Sequence, residues 1–168
     1  MCGIIGCVSD KDCYGALYDG LKRLEYRGYD SAGIAVLGEK LSVFKKKGGV
    51  SNLSAFYARG GTGIGHTRWA THGAPSDANA HPHRAGKIAL VHNGIVENYA
   101  ALKAELEGEG ERFSSETDSE VIAKLISRAY RKDLLSAVRE GLSRAEGAYA
   151  VAVDAEDRPG ELVAAKNK

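Results

Sequence analysis

A cysteine stands directly behind the first methionine, in the opening sequence Met1-Cys2-Gly3. If Met1 is removed, Cys2 carries a thiol and a free α-amine on one residue. An α-amine titrates roughly 2.5 pH units below a lysine side chain, so at neutral pH it supplies far more free base. The amine can then take the proton of the thiol, directly or through water, which makes Cys2 a candidate N-terminal nucleophile. An ordinary processed terminus with a small apolar cysteine is the alternative interpretation.

Two later stretches carry polar groups that complement a thiol nucleophile. Arg68 has the planar guanidinium fork that suits a carboxylate, and Thr71 and His72 can add hydrogen bonds to the same group. Asn93 and Gly94 place a side-chain amide beside an unhindered backbone N–H, which is the chemistry of an oxyanion hole. The alternatives are an ion pair between the arginine and a surface acid, and a tight turn at the Asn-Gly pair.

A carboxylate completes this set. Asp118 stands at the start of a predicted helix, where it can bind an ammonium group or serve only the helix dipole. Together, the candidates supply a thiol nucleophile, an oxyanion hole, a carboxylate clamp and an ammonium clamp. Cleavage of the side-chain amide of a free amino acid requires this combination of groups.

Composition argues against several other classes of protein. At 168 residues, with 43% hydrophobic residues, the chain can bury one core, so a single domain over residues 1–168 is expected. Its 23 basic and 22 acidic residues nearly cancel, which argues against nucleic acid or an anionic membrane as the main partner. No membrane-span or signal-peptide pattern is present, so a cytoplasmic protein is expected. Three cysteines crowded at one end indicate reduced thiols rather than a disulfide framework.

The order of predicted elements indicates an α+β fold. Strands are predicted over residues 3–9, 32–37, 41–46, 63–69, 87–92, 147–154 and 161–165. Helices are predicted over 11–25, 51–58, 98–107, from a Thr117–Glu120 capping box onward, and over 133–144. Residues 70–86 show no periodicity, which is typical of a functional loop. Short strands joined by hairpins favour antiparallel sheets with helices packed outside.

Six segments together resemble the glutaminase domain of the glutamine:fructose-6-phosphate aminotransferases, or glucosamine-6-phosphate synthases, which are class II glutamine amidotransferases. These segments are residues 1–6, 25–33, 66–73, 79–83, 92–95 and 115–118. The resemblance implies an N-terminal nucleophile hydrolase fold, in which two antiparallel sheets form an αββα sandwich. It also implies that the nucleophile, oxyanion and clamp roles described above belong to the same residues, with glutamine attacked by the cysteine to form a thioester.

Further assignments come from the resemblance alone. It implies that Arg27 and Gly28 lie near the nucleophile, and that His81 lies in the loop that covers glutamine. It also implies that Trp69 helps to gate the transfer of ammonia. The family needs neither a cofactor nor a metal for this half-reaction, so none is expected.

The resemblance also bears on the rest of the enzyme. In the family, this domain continues past the motif around Lys166 and is followed by two sugar-isomerase domains that bind fructose 6-phosphate. The sequence is therefore expected to be a C-terminally incomplete glutaminase domain without the isomerase domains. Its substrate would be L-glutamine, and its ammonia would serve the synthesis of glucosamine 6-phosphate, a step of hexosamine and UDP-N-acetylglucosamine biosynthesis. The full-length enzyme is expected to be a homo-oligomer.

Two alternatives stay open at this point. All five histidines fall within 27 residues and three cysteines within the first 13, which leaves a His/Cys metal-binding protein as one of them. No Cys-x-x-Cys or His-x-x-x-His spacing supports it. The other alternative is a catalytically idle module that keeps the fold.

Overall fold

Two four-stranded antiparallel sheets form the centre of the chain in the computed structural model, which describes residues 2–71 and 73–168. The strands are β1 (Gly3–Val8), β2 (Ser31–Leu37), β3 (Leu41–Lys47), β4 (Thr62–Arg68), β5 (His83–Ala85), β6 (Ile88–Gly94), β7 (Tyr149–Ala155) and β8 (Val163–Asn167). The helices are α1 (Tyr14–Leu24), α2 (Tyr99–Gly108), α3 (Asp118–Ala129) and α4 (Leu134–Leu142). The first sheet has the order β1-β4-β2-β3, and the second has the order β5-β6-β7-β8.

Helices cover the outer face of each sheet. The apolar stripe of α1, including Leu17 and Leu21, packs with Ile34 of β2 in one buried cluster. A larger cluster joins the second sheet to the other helices and includes Leu90 of β6 and Ile122 of α3. A third cluster lies between the two sheets. This layering confirms the predicted α+β sandwich of two antiparallel sheets.

Strand alternation decides which side chains face the space between the sheets, because successive residues of a strand point to opposite faces. Ile64 of β4 and Val91 of β6 belong to the cluster between the sheets. Two residues farther along each strand, the same face carries His66 and Asn93. The apolar layer between the sheets therefore gives way to polar side chains at one end, which is the end where the candidate site lies.

The structure corrects two of the predicted elements. Residues 83–85 form strand β5, which pairs with β6, inside the stretch that was predicted to be a loop. A three-residue strand is too short to show an alternation in sequence. The helix predicted over 51–58 is only a 3₁₀ turn over Val50–Leu53, whose apolar ends are both buried.

The predicted capping box at the start of α3 is also wrong. Glu120 accepts hydrogen bonds from the backbone N–H groups of Ser114, at 2.9 Å, and Ser115, at 2.7 Å, instead of reaching Thr117. Thr117 Oγ1 lies 2.9 Å from Nε2 of His83. Burial alone would raise the pKa of Glu120, but the hydrogen bonds from both serines outweigh it and lower the pKa. The glutamate thus fastens the segment before α3, which carries part of the candidate site.

Each helix in the described part of the chain is too short or too polar to cross a membrane.

One carboxylic acid is buried between the sheets. Asp154 of β7 is inaccessible to solvent, and alternation with Ala152 points its side chain toward the other sheet. Within residues 2–71 and 73–168, neither of its carboxylate oxygens has a hydrogen-bond partner. Burial raises the pKa of Asp154 to about 7. The folded state therefore favours the protonated form.

This raised pKa predicts a stability that falls as pH rises. The unfolded chain releases the proton of Asp154 near its ordinary pKa of 3.8, whereas the folded chain keeps it until about pH 7. Between those values the folded state binds more protons, so the free energy of unfolding decreases with pH. Asp154→Asn removes the ionisation, so it should reduce the loss of stability between pH 4.5 and 8 by on the order of 3 kcal/mol.

Urea unfolding at both pH values measures this difference. Asp10→Asn, at an exposed aspartate, is the control and should keep the wild-type pH dependence. An Asp154→Asn variant with the same pH dependence as wild type would contradict the assignment.

Candidate active site

The candidate nucleophile lies beside the end of strand β4. Gly3 pairs with Thr67, which places Cys2 next to the Arg68–Trp69 peptide. The Sγ atom accepts a hydrogen bond from the backbone N–H of Trp69 at 3.2 Å, and it lies 3.6 Å from the carbonyl oxygen of the same residue. No imidazole in residues 2–71 and 73–168 forms a hydrogen bond with Sγ. The thiol therefore has backbone support but no histidine base in the part of the chain described.

Asn93 and Gly94 form the last two positions of β6, beside the nucleophile. The Nδ2 atom of Asn93 donates a hydrogen bond to the carbonyl oxygen of Cys2 at 3.1 Å. Gly94 has a φ of +125°, and a Cβ atom there would lie 2.2 Å from the carbonyl oxygen of Ala148. Only glycine fits this position. Both residues pair with β7, so the alternative of a tight hairpin turn is wrong.

Arg68 ends strand β4 as a buried cation. Only 4% of the residue is exposed, and its Nη2 donates a hydrogen bond to the carbonyl oxygen of Gly73 at 2.9 Å. Burial lowers the pKa of Arg68, and the acidic groups of Cys2, Asp30 and Asp118 oppose that shift. A guanidinium keeps its charge in such a setting. The alternative of an ion pair at the surface is wrong, because the side chain is buried.

Asp118 is the first residue of α3 and is buried as well. One carboxylate oxygen, Oδ2, accepts a hydrogen bond from the backbone N–H of Val96 at 2.9 Å. This contact ties the start of α3 to the segment that follows β6. The other oxygen, Oδ1, lies 3.5 Å from Oγ of Ser119, which is a weak contact, so it keeps most of its capacity to accept a further donor.

All of these groups except the Asn93 side chain meet at one cavity. Its walls include Cys2, Arg68, Thr71, Gly94 and Asp118, and His81 and Trp69 contribute as well. The contributing segments are the start of β1, the end of β4 with its following loop, the end of β6 and the start of α3. Residues that are far apart in sequence are thus brought together by the sheet ends and one helix N-terminus.

The loop before β2 supports the peptide next to the nucleophile. A Cβ atom at Gly28 would lie 2.7 Å from the carbonyl carbon of Arg68, so the loop can approach this backbone only with glycine there. Asp30 accepts a hydrogen bond from the backbone N–H of Ala70 at 2.8 Å and donates its own N–H to the carbonyl oxygen of Arg68 at 3.1 Å. The loop therefore fixes the backbone on both sides of Trp69.

A second cavity, of about 590 Å³, also reaches Cys2. Arg27 and Trp69 line it, as does Ile95. Trp69 is 44% exposed, and its indole packs edge-on against the ring of Tyr29, with 5.5 Å between the ring centroids. Arg27 and Trp69 thus line a cavity that reaches Cys2, and Gly28 packs against the backbone beside it, while the roles that the resemblance implies for them stay predictions.

Four histidines form a buried group at the cavity, and two of them, His81 and His92, are part of its wall. The ring of His81 packs edge-to-face against His66 and His83, at centroid distances of 4.1 and 4.7 Å, and His92 Nδ1 lies 2.7 Å from Oγ of Ser119. Burial lowers the pKa of His66 to about 3 and holds the pKa of His81 and His83 well below the ordinary value. These rings are therefore neutral near pH 7 and add no charge beside the arginine.

The structure gives no support to the metal-binding alternative. In the part of the chain that the structure describes, no group of three His, Cys, Asp or Glu side chains is placed to hold a metal ion. The role predicted for His72 lies outside the described residues.

Asn79 is a supporting residue that sequence reasoning missed. It is buried, its Oδ1 accepts a hydrogen bond from the backbone N–H of Glu116 at 2.9 Å, and its Nδ2 donates to the carbonyl oxygen of Ala74 at 2.9 Å. These bonds fasten the loop after β4 to the segment before α3. Its only signal in the sequence was membership of the 79–83 segment, one of the six that carry the family resemblance.

Comparison with known proteins identifies the family. The sequence model of the glutamine amidotransferase domain family matches residues 37–167 of the chain. The chain belongs to the glutamine amidotransferase domain family. Its relatives include the isomerizing glutamine–fructose-6-phosphate aminotransferase of Thermus thermophilus, which is 57% identical over 173 residues. The enzyme of the same name from Chlorobaculum tepidum is 53% identical over 179 residues.

This amidotransferase domain is shorter than the relatives it matches. The alignments cover 99% of the chain but only 28% of the Thermus protein and 29% of the Chlorobaculum protein. Among solved structures, glutamine phosphoribosylpyrophosphate amidotransferase from B. subtilis superposes with a TM-score of 0.84 at 30% identity, covering 98% of this chain and 37% of that one. The sandwich is therefore that of the N-terminal nucleophile hydrolase amidotransferases, which confirms both the resemblance and the predicted fold.

Proposed function

We propose that this amidotransferase domain hydrolyses L-glutamine to glutamate and ammonia, with Cys2 as an N-terminal nucleophile. One observation carries the proposal: the Cys2 thiol, the Gly94 backbone, a buried guanidinium and a buried carboxylate reach a single cavity from separate elements. Asn93 lies beside it, with its Nδ2 donating to the carbonyl oxygen of Cys2. An amide hydrolase that acts on a free amino acid needs one group for each reacting or charged part of its substrate.

In the proposed reaction, removal of Met1 leaves the α-amine of Cys2 free to take the proton of the thiol. The thiolate attacks the side-chain carbonyl carbon of glutamine, and Asn93 Nδ2 with the N–H of Gly94 stabilises the oxyanion of the tetrahedral intermediate. The carbon–nitrogen bond then breaks, and the proton held by the α-amine passes to the leaving nitrogen, which departs as ammonia. Water attacks the thioester, glutamate is released and the thiol regains its proton.

The two clamps recognise the ends of the amino acid. Arg68, with Thr71 and His72, is proposed to bind the α-carboxylate, and Asp118 is proposed to bind the α-ammonium. Because the clamps carry opposite charges at separate points of the cavity wall, they also set the direction in which glutamine enters. His81 is proposed to lie in the cover over the bound substrate.

The destination of the ammonia is a further part of the proposal. The relatives at 53–57% identity are named for fructose 6-phosphate, and the chain spans less than a third of their length. We propose that in the whole protein the ammonia passes to fructose 6-phosphate to form glucosamine 6-phosphate, with Trp69 at the exit. A cytoplasmic, homo-oligomeric whole protein belongs to the same proposal.

Substitution of the clamps tests substrate recognition. Loss of one partner of a buried charge pair costs about 2 to 5 kcal/mol, so Arg68→Ala and Asp118→Asn should each raise the KM for glutamine at least about thirtyfold. Release of glutamate over a range of glutamine concentrations measures this effect. The control is Arg59→Ala, which changes an arginine whose side chain is 85% exposed and should leave KM unchanged.

The same assay separates the amidotransferase from an idle module. Wild-type protein that releases no glutamate under any condition would support the idle alternative. Turnover of a simple aliphatic amide as fast as glutamine would contradict the clamp assignments.

A further inference from the structure

A hydrogen bond crosses the sandwich directly behind the proposed oxyanion hole. His66 lies on β4 of the first sheet, and Asn93 lies on β6 of the second. The imidazole is completely buried. Its Nε2 atom lies 2.8 Å from Oδ1 of Asn93 and 3.0 Å from the carbonyl oxygen of His92. The amide that is proposed to hold the oxyanion is thus held in turn by a histidine from the opposite sheet.

The partners of this imidazole determine where its hydrogen lies. The carbonyl oxygen of His92 can only accept a hydrogen bond. The Nδ2 atom of Asn93 faces the carbonyl oxygen of Cys2, at 3.1 Å. If the side-chain amide were flipped, Oδ1 would face that oxygen instead, and both atoms are acceptors. Its Oδ1 therefore faces His66. Since the carbonyl oxygen of His92 and Oδ1 of Asn93 are both acceptors, the Nε2 atom of His66 carries the hydrogen and donates it to them.

His81 does not compete for this hydrogen. Its Nδ1 lies almost equally far from both ring nitrogens of His66, at 3.1 and 3.2 Å, and the two rings stand at 83°. This geometry places the edge of one ring over the face of the other, outside the plane in which the Nε2–H bond lies. His81 thus packs against the ring of His66, and the Nε2–H group of His66 stays directed at Asn93.

We propose that His66 is a positioning residue, which fixes the side-chain amide of Asn93 with Nδ2 toward the reacting centre. With Oδ1 occupied by the imidazole, one Nδ2 hydrogen binds the carbonyl oxygen of Cys2 and the other is left for the oxyanion. Without His66, the amide can rotate and present an oxygen lone pair to the developing negative charge. The inference rests on the proposed glutamine hydrolysis and adds a residue that does not itself touch the substrate.

Two amide side chains provide a matched pair of substitutions in the full-length protein. The side-chain nitrogen of glutamine can take the position of the imidazole Nε2, whereas that of asparagine takes the position of Nδ1 and falls short of Asn93. His66→Asn should therefore lower kcat for glutamine about 10- to 100-fold, with KM changed less than about threefold. His66→Gln should stay within about fivefold of the wild-type kcat.

A double-substitution cycle shows that the effect acts through the amide. Asn93→Ala alone should lower kcat by about 100- to 1,000-fold, as expected for the loss of one oxyanion donor. In the Asn93→Ala background, His66→Asn should lower kcat by less than about a further threefold, because the amide that His66 positions is gone. Alkylation of Cys2 by iodoacetamide, which forms no oxyanion, should proceed at the wild-type rate in the His66 variants and so verify an intact nucleophile.

Several results would overturn the inference. One is an equal loss of kcat in His66→Asn and His66→Gln. Another is a loss in the double variant that equals the product of the losses from His66→Asn and Asn93→Ala. A third is a change in KM with kcat unchanged. A measurement on unsubstituted protein needs no variant to fold: NMR of ¹⁵N-histidine-labelled protein should show the hydrogen of His66 on Nε2, and a hydrogen on Nδ1 would overturn it. A wild-type protein without glutaminase activity would overturn the proposed function and this inference together.

Discussion

Cys2→Ala is expected to abolish the release of glutamate from glutamine, with a loss of at least about four orders of magnitude. The thiol is the only group at the cavity proposed to form the covalent bond with the substrate. Removal of a nucleophile leaves only the contribution of the oxyanion hole and of binding. The assay compares glutamate release by wild type and variant at saturating glutamine, after circular dichroism has shown that both are folded.

The other two cysteines provide matched controls for this prediction. Cys7 is the second-last residue of β1, opposite Gly63, and does not line the cavity. Cys13 is buried before α1, and its burial raises the pKa of its thiol to about 11, so it remains an unreactive thiol at neutral pH. Cys7→Ser and Cys13→Ser should therefore keep most of the activity. Activity retained in Cys2→Ala, or lost in Cys7→Ser with its fold intact, would contradict the assignment of the nucleophile.

The residues with distinctive chemistry could be selected from the sequence because each role demands a particular side chain. A carboxylate is best bound by a guanidinium fork, and an oxyanion needs N–H donors without a bulky neighbour. Arg68 and the Asn93-Gly94 pair meet these demands by residue type alone. Strand alternation then explains why Arg68 and Asn93 face the same space, since each belongs to the inward-facing row of its strand.

The supporting residues could not be selected in that way, because their roles depend on contacts between segments that are distant in sequence. Asp30 fixes the backbone around Trp69 from a loop some forty residues earlier in the chain. His66 reaches Asn93 across the two sheets. Nothing in the local sequence distinguishes such an aspartate or histidine from an ordinary polar residue at a strand end.

The errors in secondary structure have the same origin. The Thr117–Glu120 spacing is that of a capping box, but the glutamate finds two backbone N–H groups and two hydroxyls in the preceding segment. Several donors to one buried carboxylate stabilise it more than a single capping bond. In strand β5, pairing with β6 decides the conformation of only three residues, so no periodic pattern can reveal it.

An uncleavable extension ahead of Cys2 is expected to remove the activity without disturbing the fold. The extension turns the α-amine into an amide, which has no basic lone pair, so the thiol loses its proposed base. In the part of the chain that the structure describes, no histidine forms a hydrogen bond with Sγ. None of these histidines is therefore placed to replace the α-amine as the base. A conventional Cys-His hydrolase would behave differently, because its base is a side chain and a short extension would leave it in place.

The comparison of extended and trimmed protein tests the central claim most directly. One protein carries a short extension with a protease site directly before Cys2, and mass spectrometry follows its removal. Circular dichroism and the urea unfolding midpoint should be the same before and after cleavage. The account predicts almost no glutamate release from the extended protein and full activity once the new terminus is Cys2. Comparable rates of glutamate release before and after trimming would contradict it and would assign the base to a side chain.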